Sequence, residues 1–447
     1  MKDKSLKSNF PELLAPAGDL KRLQYALAYG ADAVYLGLPD FSLRAKTGFD
    51  LESLQNGIAY AHDAGKKVYV TINIFAHEEQ LKALPAFLKK LKSVRPDAII
   101  LSDAGILNLV KKHLPKTPVH LSTQANTLNA EAVKFWQKNG VKRIILGREA
   151  TLSDIKKIHA AVPKMELEVF VHGAMCMSYS GRCYLSSWLN GRSANEGSCT
   201  QPCRWQYRMY LEEPLRPGEL MPIEEDGQGA YVLNSKDLCL IEYLPELIKA
   251  GVCSVKIEGR TKSHYYVAAA VRVYREAIDV CASWTEFETN LTPPNLLFQK
   301  GEERTKNSSV CSLSLRKGGL GRVLKKLKSE LLKIDNRGYT TGFLLGNEGT
   351  SRQNFRSSKA VGQCQLAGEV VEVKNGLVFF RAHNVWRATE PAELLTPADY
   401  YKLKVKEFFD DKGQSIKEVH GGTDRIYSFA SPIKTAKWGL IRRPVKS

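Results

Sequence analysis

Long apolar runs are missing from this sequence. No stretch approaches the roughly eighteen consecutive apolar residues that a membrane-spanning helix needs, and the opening MKDKSLKSNF has no apolar core of a secretory signal. The sequence therefore predicts a soluble cytoplasmic protein with no membrane partner, a compartment in which stable disulfides are not expected. The nine cysteines are also odd in number, so at least one stays unpaired in any intramolecular disulfide scheme.

Several motifs of common enzyme classes are missing as well. The chain contains neither the G-x-S-x-G of a nucleophilic serine nor the H-E-x-x-H of a zinc peptidase. No G-x-G-x-x-G follows the first predicted strand, which argues against a dinucleotide-binding sheet. A peptidase needs an activated nucleophile or a metal-bound water, and the two motifs that would supply them are absent.

Acidic residues are in short supply. The chain has 65 Lys and Arg against 47 Asp and Glu, a net charge of +18 and a pI near 9.3. Such a balance makes a polyanionic partner such as nucleic acid plausible, although many soluble proteins are mildly basic. From 300 to 333 there are ten Lys and Arg against three Glu. This stretch predicts a basic helix with a flexible approach, either a solvated linker or an RNA-contacting arm.

Cysteine is concentrated in one place. Four of the nine fall within 28 residues, and the other 419 residues hold only five. The four are Cys176, Cys183, Cys199 and Cys203. Their spacing lacks the two close C-x₂-C pairs of a zinc ribbon, and thiolates suit iron as well as zinc. An iron–sulfur cluster is the favoured interpretation, with a zinc site or redox and structural thiols as the alternatives.

Three further cysteines lie in apolar patterns. Cys253 and Cys281 are expected to be buried as small hydrophobic residues. Cys239 follows the cysteine-rich segment and is either a core residue or a further ligand, the core position being favoured.

Short apolar runs alternate with amphipathic helical patterns seven times between residues 10 and 172, and once more after 253. The predicted strands are 12–16, 33–37, 67–73, 98–102, 119–122, 143–147, 167–172 and 254–259. Eight βα units predict a (β/α)₈ TIM-like barrel with the cysteine segment and a polar stretch (204–235) inserted between units seven and eight. A doubly wound open sheet is the rival architecture.

Active sites of such barrels form at the C-terminal ends of the strands, so polar residues there are candidates and strand interiors are not. We predict catalytic roles for His172, Glu258 and Arg260, and cofactor or co-substrate binding by Asn73, Gln124 and Arg148. Charged groups at strand ends need partners, and two arginines suit a small carboxylate. Asp103 and Glu149 have a local alternative, since either can cap a helix.

The sequence changes character after residue 282. Alternating apolar residues with turn signals predict a small antiparallel β-barrel from about 360. The predicted organisation is a barrel over 1–285 with a cluster-binding insertion at 173–235, a linker with a basic helical segment over 286–355, and the C-terminal β-barrel over 356–447.

Three segments carry a resemblance to a known family. They are PELLAPAGDLKRLQYALAYGADAVYLG, EVFVHGAMCMSYSGRCYLSS and NSKDLCLIEYLPELIKAGVCSVKIEGRTKSHYYVAAAVRVYREAI. Over roughly 11–281, again at 336–346 and into the terminal barrel, the chain resembles unassigned peptidase family 32, the collagenase-like peptidases. Residues 300–333 depart from the family pattern. Within the family, GSCTQPCRW after SGRC is similar to the branch that makes 5-hydroxyuridine at the wobble position of tRNA.

The resemblance implies a [4Fe–4S] cluster held by the four clustered cysteines, tRNA as partner, and prephenate, a dicarboxylate, as oxygen source. Sister branches act on ribosomal RNA or in anaerobic quinone hydroxylation. Two classes of function therefore compete, an RNA hydroxylase and the peptidase (protease) after which the family is named. For the peptidase, Cys176 near His172 is a conceivable nucleophilic dyad, but cysteines that hold iron are already committed.

Overall fold

The computed structural model describes residues 10–43, 48–205, 207, 209–212, 215–218, 220–223, 234–290, 309–346, 352–354, 359–433 and 436–445. Two hydrophobic cores organise these residues, a large one that spans most of the chain before 345 and a smaller one after 366. No helix in the described ranges combines the length and the apolar content that crossing a bilayer requires.

Eight parallel strands form a closed barrel. The first twelve strands are β1 (Glu12–Pro16), β2 (Ala33–Gly37), β3 (Lys67–Ile72), β4 (Ala98–Leu101), β5 (Val119–Leu121), β6 (Arg143–Ile145), β7 (Glu166–Gly173), β8 (Met209–Glu212), β9 (Leu220–Ile223), β10 (Asp237–Cys239), β11 (Val252–Ile257) and β12 (Tyr339–Thr340). Strands β1 to β7 pair in sequence, and β11 pairs with both β7 and β1, which closes the sheet. The predicted barrel and its eight strands are confirmed.

Helices connect the strands, and those of the βα repeat cover the outside of the barrel. They are α1 (Leu20–Ala28), α2 (Leu51–Asp63), α3 (Glu78–Val94), α4 (Ala104–His113), α5 (Ala130–Lys138), α6 (Leu152–Ala161), α7 (Leu185–Asn190), α8 (Leu244–Lys249), α9 (His264–Asn290) and α10 (Ser309–Leu331). Side-chain caps start several of them, and Asp103 accepts a hydrogen bond from the Ile106 amide at 2.9 Å. The predicted capping role of Asp103 is therefore confirmed.

The chain between β7 and β11 departs from the repeat. It contains α7, the antiparallel hairpin of β8 and β9, then β10 and α8. β10 runs antiparallel to the end of β7, with Cys239 opposite His172, and β12 pairs with β10 in parallel. The predicted polar stretch lies partly outside the described residues, since 224–233 are not among them.

The C-terminal part is antiparallel, as predicted. Its strands are β13 (Cys364–Lys374), β14 (Leu377–Ala382), β15 (Trp386–Arg387), β16 (Ala392–Leu395), β17 (Tyr400–Leu403), β18 (Phe408–Phe409), β19 (Ser415–Ile416), β20 (Glu418–Val419), β21 (Ile426–Ala430) and β22 (Leu440–Pro444). Eight of them form one sheet around a core in which Trp386 packs on Phe380, Phe408 and Phe429. The sheet docks on the barrel, where the Tyr29 hydroxyl donates to the Leu395 and Trp438 carbonyls.

The basic stretch from 300 to 333 is only partly described, and 300–308 lie outside the described residues. Its second half belongs to α10, which is kinked at Gly319 and packs on α9. Leu324, Leu327 and Leu331 are buried, so this half of the stretch is part of the main core. The exact linker boundaries stay a prediction.

Candidate active site at the mouth of the barrel

The mouth of the barrel, at the C-terminal ends of its strands, collects polar side chains from several loops. Arg260 follows β11 and is 4% exposed. Its Nη1 donates to Ser42 Oγ at 2.7 Å and Thr71 Oγ1 at 3.0 Å. A side chain at Gly18 would collide with the Arg260 carbonyl, because a Cβ there would lie 2.1 Å from that oxygen. The backbone and side chain of Arg260 therefore join the loops after β1, β2 and β11 to strand β3.

Arg148 and Glu258 face each other across the mouth. Arg148 Nη2 lies 3.7 Å from Glu258 Oε2, and both side chains are largely buried. The Arg148 guanidinium also lies 3.9 Å from the centre of the Phe170 ring, a cation–π contact. The Tyr35 hydroxyl is 3.4 Å from Glu258 Oε2. The Arg260 guanidinium lies 5.6 Å from the centre of the Tyr35 ring, so Arg148, Glu258 and Arg260 of the predicted site residues are gathered around Phe170 and Tyr35.

Only one of the two polar atoms of the Asn73 side chain is hydrogen-bonded within the described residues. Its Nδ2 donates to Ser122 Oγ at 3.2 Å, while its Oδ1 is buried and has no hydrogen-bond partner among the described residues. A buried amide oxygen without a partner is costly, and it is satisfied when a ligand or water supplies a donor. Gln124 lies in the turn after β5. Its backbone carbonyl approaches Gly181 so closely that only glycine fits at position 181.

His172 occupies a different environment from the charged mouth. Its ring is 1% exposed and is surrounded by Tyr266, Tyr274 and Tyr339, with ring centres 5.4 to 5.8 Å away. Neither ring nitrogen has a hydrogen-bond partner in the described part of the chain. Burial lowers the pKa of His172 to about 3, so the ring is neutral at physiological pH. Its catalytic role stays a prediction.

The cysteine segment, residues 174–205, lies over this mouth. Glu149, after β6, accepts a hydrogen bond from the Ser180 amide at 2.8 Å and another from Asn126 Nδ2 at 3.1 Å. The Phe75 amide, after β3, donates to the Asn195 carbonyl at 3.0 Å. Glu149 therefore anchors the segment and does not begin the following helix, whose cap is Thr151.

The four clustered cysteines share this segment. Cys176 and Cys199 are exposed, and Cys183 and Cys203 are half-buried. Burial raises the pKa of the Cys203 thiol, nearby Arg204 opposes this, and the other three thiols raise it further. The pKa of Cys203 therefore responds to each of the other three clustered thiols. The Gln201 amide donates to Cys199 Sγ at 3.3 Å, the type of bond that stabilises a ligating thiolate.

The remaining described cysteines lie outside this segment in sequence. Cys239 and Cys281 are buried, as predicted, and burial raises their pKa values to about 11 and about 12. Cys239 Sγ lies 3.8 Å from the Tyr274 hydroxyl. Cys253 is only half-buried, which corrects the expectation of a buried position. It lies near the start of β11, where its thiol donates to the Leu167 carbonyl at 3.3 Å.

Sequence reasoning missed a set of charged side chains inside the barrel, the basal ion layer: Glu12, Arg143, Glu168 and Lys256. Arg143 Nη1 lies 2.6 Å from Glu12 and 3.2 Å from Glu168, and Lys256 Nζ lies 3.1 Å from Glu168. Burial alone would raise the pKa of Glu168, but Lys256 and Arg143 outweigh it and hold that pKa below its ordinary value. The sequence did contain a signal for this layer, a charged residue inside each of two otherwise apolar strands: Glu168 in β7 and Lys256 in β11.

A second group of ligand-type side chains lies where the barrel meets the C-terminal sheet. Ligand atoms of His264, Glu369 and His383 all lie within 4.8 Å of one another. Glu369 also accepts a hydrogen bond from the Tyr25 hydroxyl at 2.8 Å and pairs with the Lys21 ammonium at 2.5 Å. Because the carboxylate is already neutralised, this group is an interdomain contact between α1, α9 and β13.

The family follows from comparison with known proteins. The sequence profile of peptidase family U32 matches residues 18–354, more than half of the chain. The chain belongs to peptidase family U32. It is 39% identical to tRNA hydroxylation protein P of Escherichia coli (strain K12), with 92% of each chain covered, and 34% identical to tRNA hydroxylation protein P1 of Bacillus subtilis (strain 168), with 91% of this chain and 88% of that one covered. A collagenase of Porphyromonas gingivalis is 33% identical, with 61% of this chain and 67% of that one covered.

The surroundings of His172 test whether this U32 protein could use His172 and Cys176 as the catalytic dyad of a peptidase. A cysteine nucleophile needs a histidine base within hydrogen-bond reach. His172 has no such contact within the described residues, and its low pKa makes it a poor base near neutral pH. The geometry of this U32 chain therefore does not assemble that dyad.

Proposed function

We propose that this protein hydroxylates the wobble uridine of tRNA to 5-hydroxyuridine, with a [4Fe–4S] cluster on Cys176, Cys183, Cys199 and Cys203. Prephenate is the proposed oxygen donor. The observation that carries the proposal is the position of the four cysteines over a polar barrel mouth that contains Arg148 and Arg260. The long alignments with proteins named for tRNA hydroxylation support it further.

The donor set suits a cluster better than one zinc ion. Zinc with bonds near 2.3 Å holds its sulfur ligands within about 3.8 Å of one another. Among the described residues, three or more ligand atoms come within 4.8 Å of one another only at His264, Glu369 and His383, so no three of the thiols are that close. A wider set of four thiolates fits the corners of a cubane, which when bound supplies electron-transfer chemistry.

The mouth suits a small dicarboxylate. Arg148 and Arg260 offer planar donor pairs that match carboxylate oxygens. Asn73 supplies a buried amide oxygen that a hydroxyl group of the ligand would satisfy by donating to it. Glu258, between Arg148 and the Tyr35 hydroxyl, is the proposed acid–base group. These residues bind, orient and move a proton at the site.

A tRNA anticodon loop matches both the barrel mouth and the positive charge of the protein. Its wobble base is unpaired, so the enzyme reaches it without melting a duplex. The net charge of +18 provides attraction to phosphates, and we expect binding that weakens steeply as salt is raised.

The test is nucleoside mass spectrometry of tRNA from a deletion strain carrying the wild-type gene or the Cys199→Ala variant. We expect 5-hydroxyuridine-derived masses only with wild type. Iron and sulfide analysis of anaerobically purified protein should show most iron lost in Cys199→Ala and retained in the control Cys281→Ala. Identical tRNA in all strains, in a host without a redundant pathway, would contradict the proposed function, and gelatin hydrolysis by the purified protein would favour the peptidase.

A further inference from the structure

The cysteine segment exposes an unusual number of aromatic rings. Tyr184 is 74% exposed, Trp188 69%, Tyr179 60% and Trp205 42%. In the described part of the chain only one other aromatic side chain, Phe135, is counted among the exposed large hydrophobic residues. Single exposed apolar residues are ordinary, but a concentration of large ones in one short segment marks a binding surface. We call these four residues the aromatic rim.

Two of the rings share one face of α7. Tyr184 caps the helix and Trp188 follows four residues later, with the Trp188 amide donating to the Tyr184 carbonyl at 2.9 Å. Residues spaced by four lie one above the other on a helix surface. The two side chains therefore belong to the same exposed face of this short helix.

Helix α7, which carries them, is held in place by hydrogen bonds to Thr200. Ser186 is fully buried, and its Oγ lies 3.1 Å from Thr200 Oγ1 and accepts a hydrogen bond from the Thr200 amide at 3.1 Å. Asn190 Nδ2 also donates to Thr200 Oγ1 at 2.9 Å. Pre-positioned rings lose little conformational freedom when a ligand stacks on them, which favours binding.

The charge around the rim favours an anionic partner. Residues 174–205 contain three arginines and one acidic residue, Glu196. Arg182 and Arg192 are exposed, whereas Glu196 lies 3.2 Å from the His77 ring. Exposed aromatic faces interleaved with guanidinium groups match unpaired nucleotides, whose bases stack while their phosphates attract arginine. An aliphatic protein partner would not require this combination.

The rim also lies beside the mouth. The segment is tied to the loops after β3 and β6, and its Gly181 and Gly197 pack closely on the loops after β5 and β2. When one base of a loop enters the barrel, the neighbouring nucleotides have to cross this segment. We propose that Tyr184 and Trp188, flanked by Tyr179 and Trp205, stack on the unpaired bases that flank the target nucleotide. This inference rests on the proposed function and adds the way in which the RNA is recognised.

The experiment compares the wild-type holoprotein with Trp188→Ala, Trp188→Phe and Tyr184→Ala, and with Phe135→Ala as a matched exposed aromatic on α5. A fluorescently labelled anticodon stem-loop is titrated with each protein, and iron content is recorded for each. We expect the two rim alanine variants to bind roughly 5- to 150-fold more weakly, the range for loss of one stacked base. Trp188→Phe should retain most of the affinity, and Phe135→Ala all of it, with iron content unchanged throughout.

The outcomes separate this inference from the proposed function. Wild-type RNA affinity in both rim alanine variants, with normal iron, overturns the stacking role even if tRNA hydroxylation is intact. Weaker binding in these variants supports the stacking role even if the modified position proves to be another nucleotide. Equal loss of affinity for a blunt-ended, two-stranded RNA duplex would also overturn it, because such a duplex offers no unpaired bases. A dimer that the same variants dissociate would assign the rim to a second copy of the chain and overturn the inference.

Discussion

The two levels of the barrel interior handle charge differently. In the basal ion layer, Arg143 and Lys256 lie 2.6 to 3.2 Å from their carboxylate partners. At the mouth, the Arg148–Glu258 pair is separated by 3.7 Å, and the buried Oδ1 of Asn73 has no hydrogen-bond partner among the described residues. The lower level pairs its charges closely with one another, whereas the charge pair of the upper level is looser.

This difference assigns separate tasks to residues of the same chemical type. A buried charge that loses its only partners is strongly destabilising. A charge at a ligand site contributes chiefly when the ligand is present, so its removal should affect binding more than folding. The N-terminal level of such a barrel serves stability and the C-terminal level serves function. The following predictions test that division.

The largest effect on stability is expected for Glu168→Gln. This change removes a fully buried carboxylate charge from between Lys256 and Arg143. We expect the free energy of unfolding to fall by about 3 to 5 kcal/mol, as for a broken buried ion pair. Chemical denaturation monitored by circular dichroism measures it. Glu131→Gln, in an exposed pair with Lys134, is the control and should leave stability almost unchanged, because water screens this pair. Similar values for the two variants would contradict the comparison.

An intermediate effect, on binding and not on folding, is expected for Arg148→Ala. Loss of a charge-assisted bond to a carboxylate should weaken prephenate binding by about 1.5 to 3 kcal/mol. Titration calorimetry on anaerobic protein measures the affinity, and denaturation should show a much smaller change in stability than for Glu168→Gln. Unaltered prephenate affinity together with normal tRNA modification would remove Arg148 from the site.

The smallest expected effect is the change of stability with pH that His172 causes. The pKa of His172 is about 3 when folded, below the ordinary value of 6.5, so the folded protein favours the neutral ring. The unfolded chain binds the extra proton between pH 6.5 and about 3, and stability is therefore full above pH 6.5 and falls as the pH drops through that window. We expect a loss of about 1 to 2 kcal/mol from this group between pH 7 and pH 5.

His172→Phe provides the control for the pH prediction. The variant keeps an aromatic ring among the three tyrosines and should lose the part of the pH dependence that His172 causes. An unchanged pH profile would mean that other groups dominate. The same variant tests the predicted catalytic role, because retained tRNA hydroxylation would show that His172 is a core residue.

The barrel itself could be predicted because its signals are local. Strands β1 and β2 match their predicted bounds, since each is a short buried apolar run between turns. The Asp103 cap also acts within one helical turn. What escaped prediction depends on contacts distant in sequence. The antiparallel addition of β10 to β7 and the pairing of Glu168 with Lys256 join residues more than sixty positions apart. No periodicity in the sequence reports such pairings.

The candidate site was only partly predictable for the same reason. Arg148, Glu258 and Arg260 were found from their positions at strand ends, which the barrel brings to one rim. His172 also ends a strand, but the addition of β10 and the helix α9 enclose its ring among tyrosines. Glu149 had local capping as its alternative, and that alternative is wrong, since its carboxylate accepts a hydrogen bond from the Ser180 amide, 31 positions away.

The attachment of the cysteine segment has a consequence for how the protein matures. Its anchors come from loops after β2, β3, β5 and β6, which are neighbours only once the sheet has closed. The thiols therefore reach their final arrangement after the barrel has folded, and a nascent chain presents four separated, unpositioned cysteines. On the proposed function, iron therefore reaches this segment late in biogenesis, and we expect cells starved for iron to contain folded protein that lacks the proposed cluster.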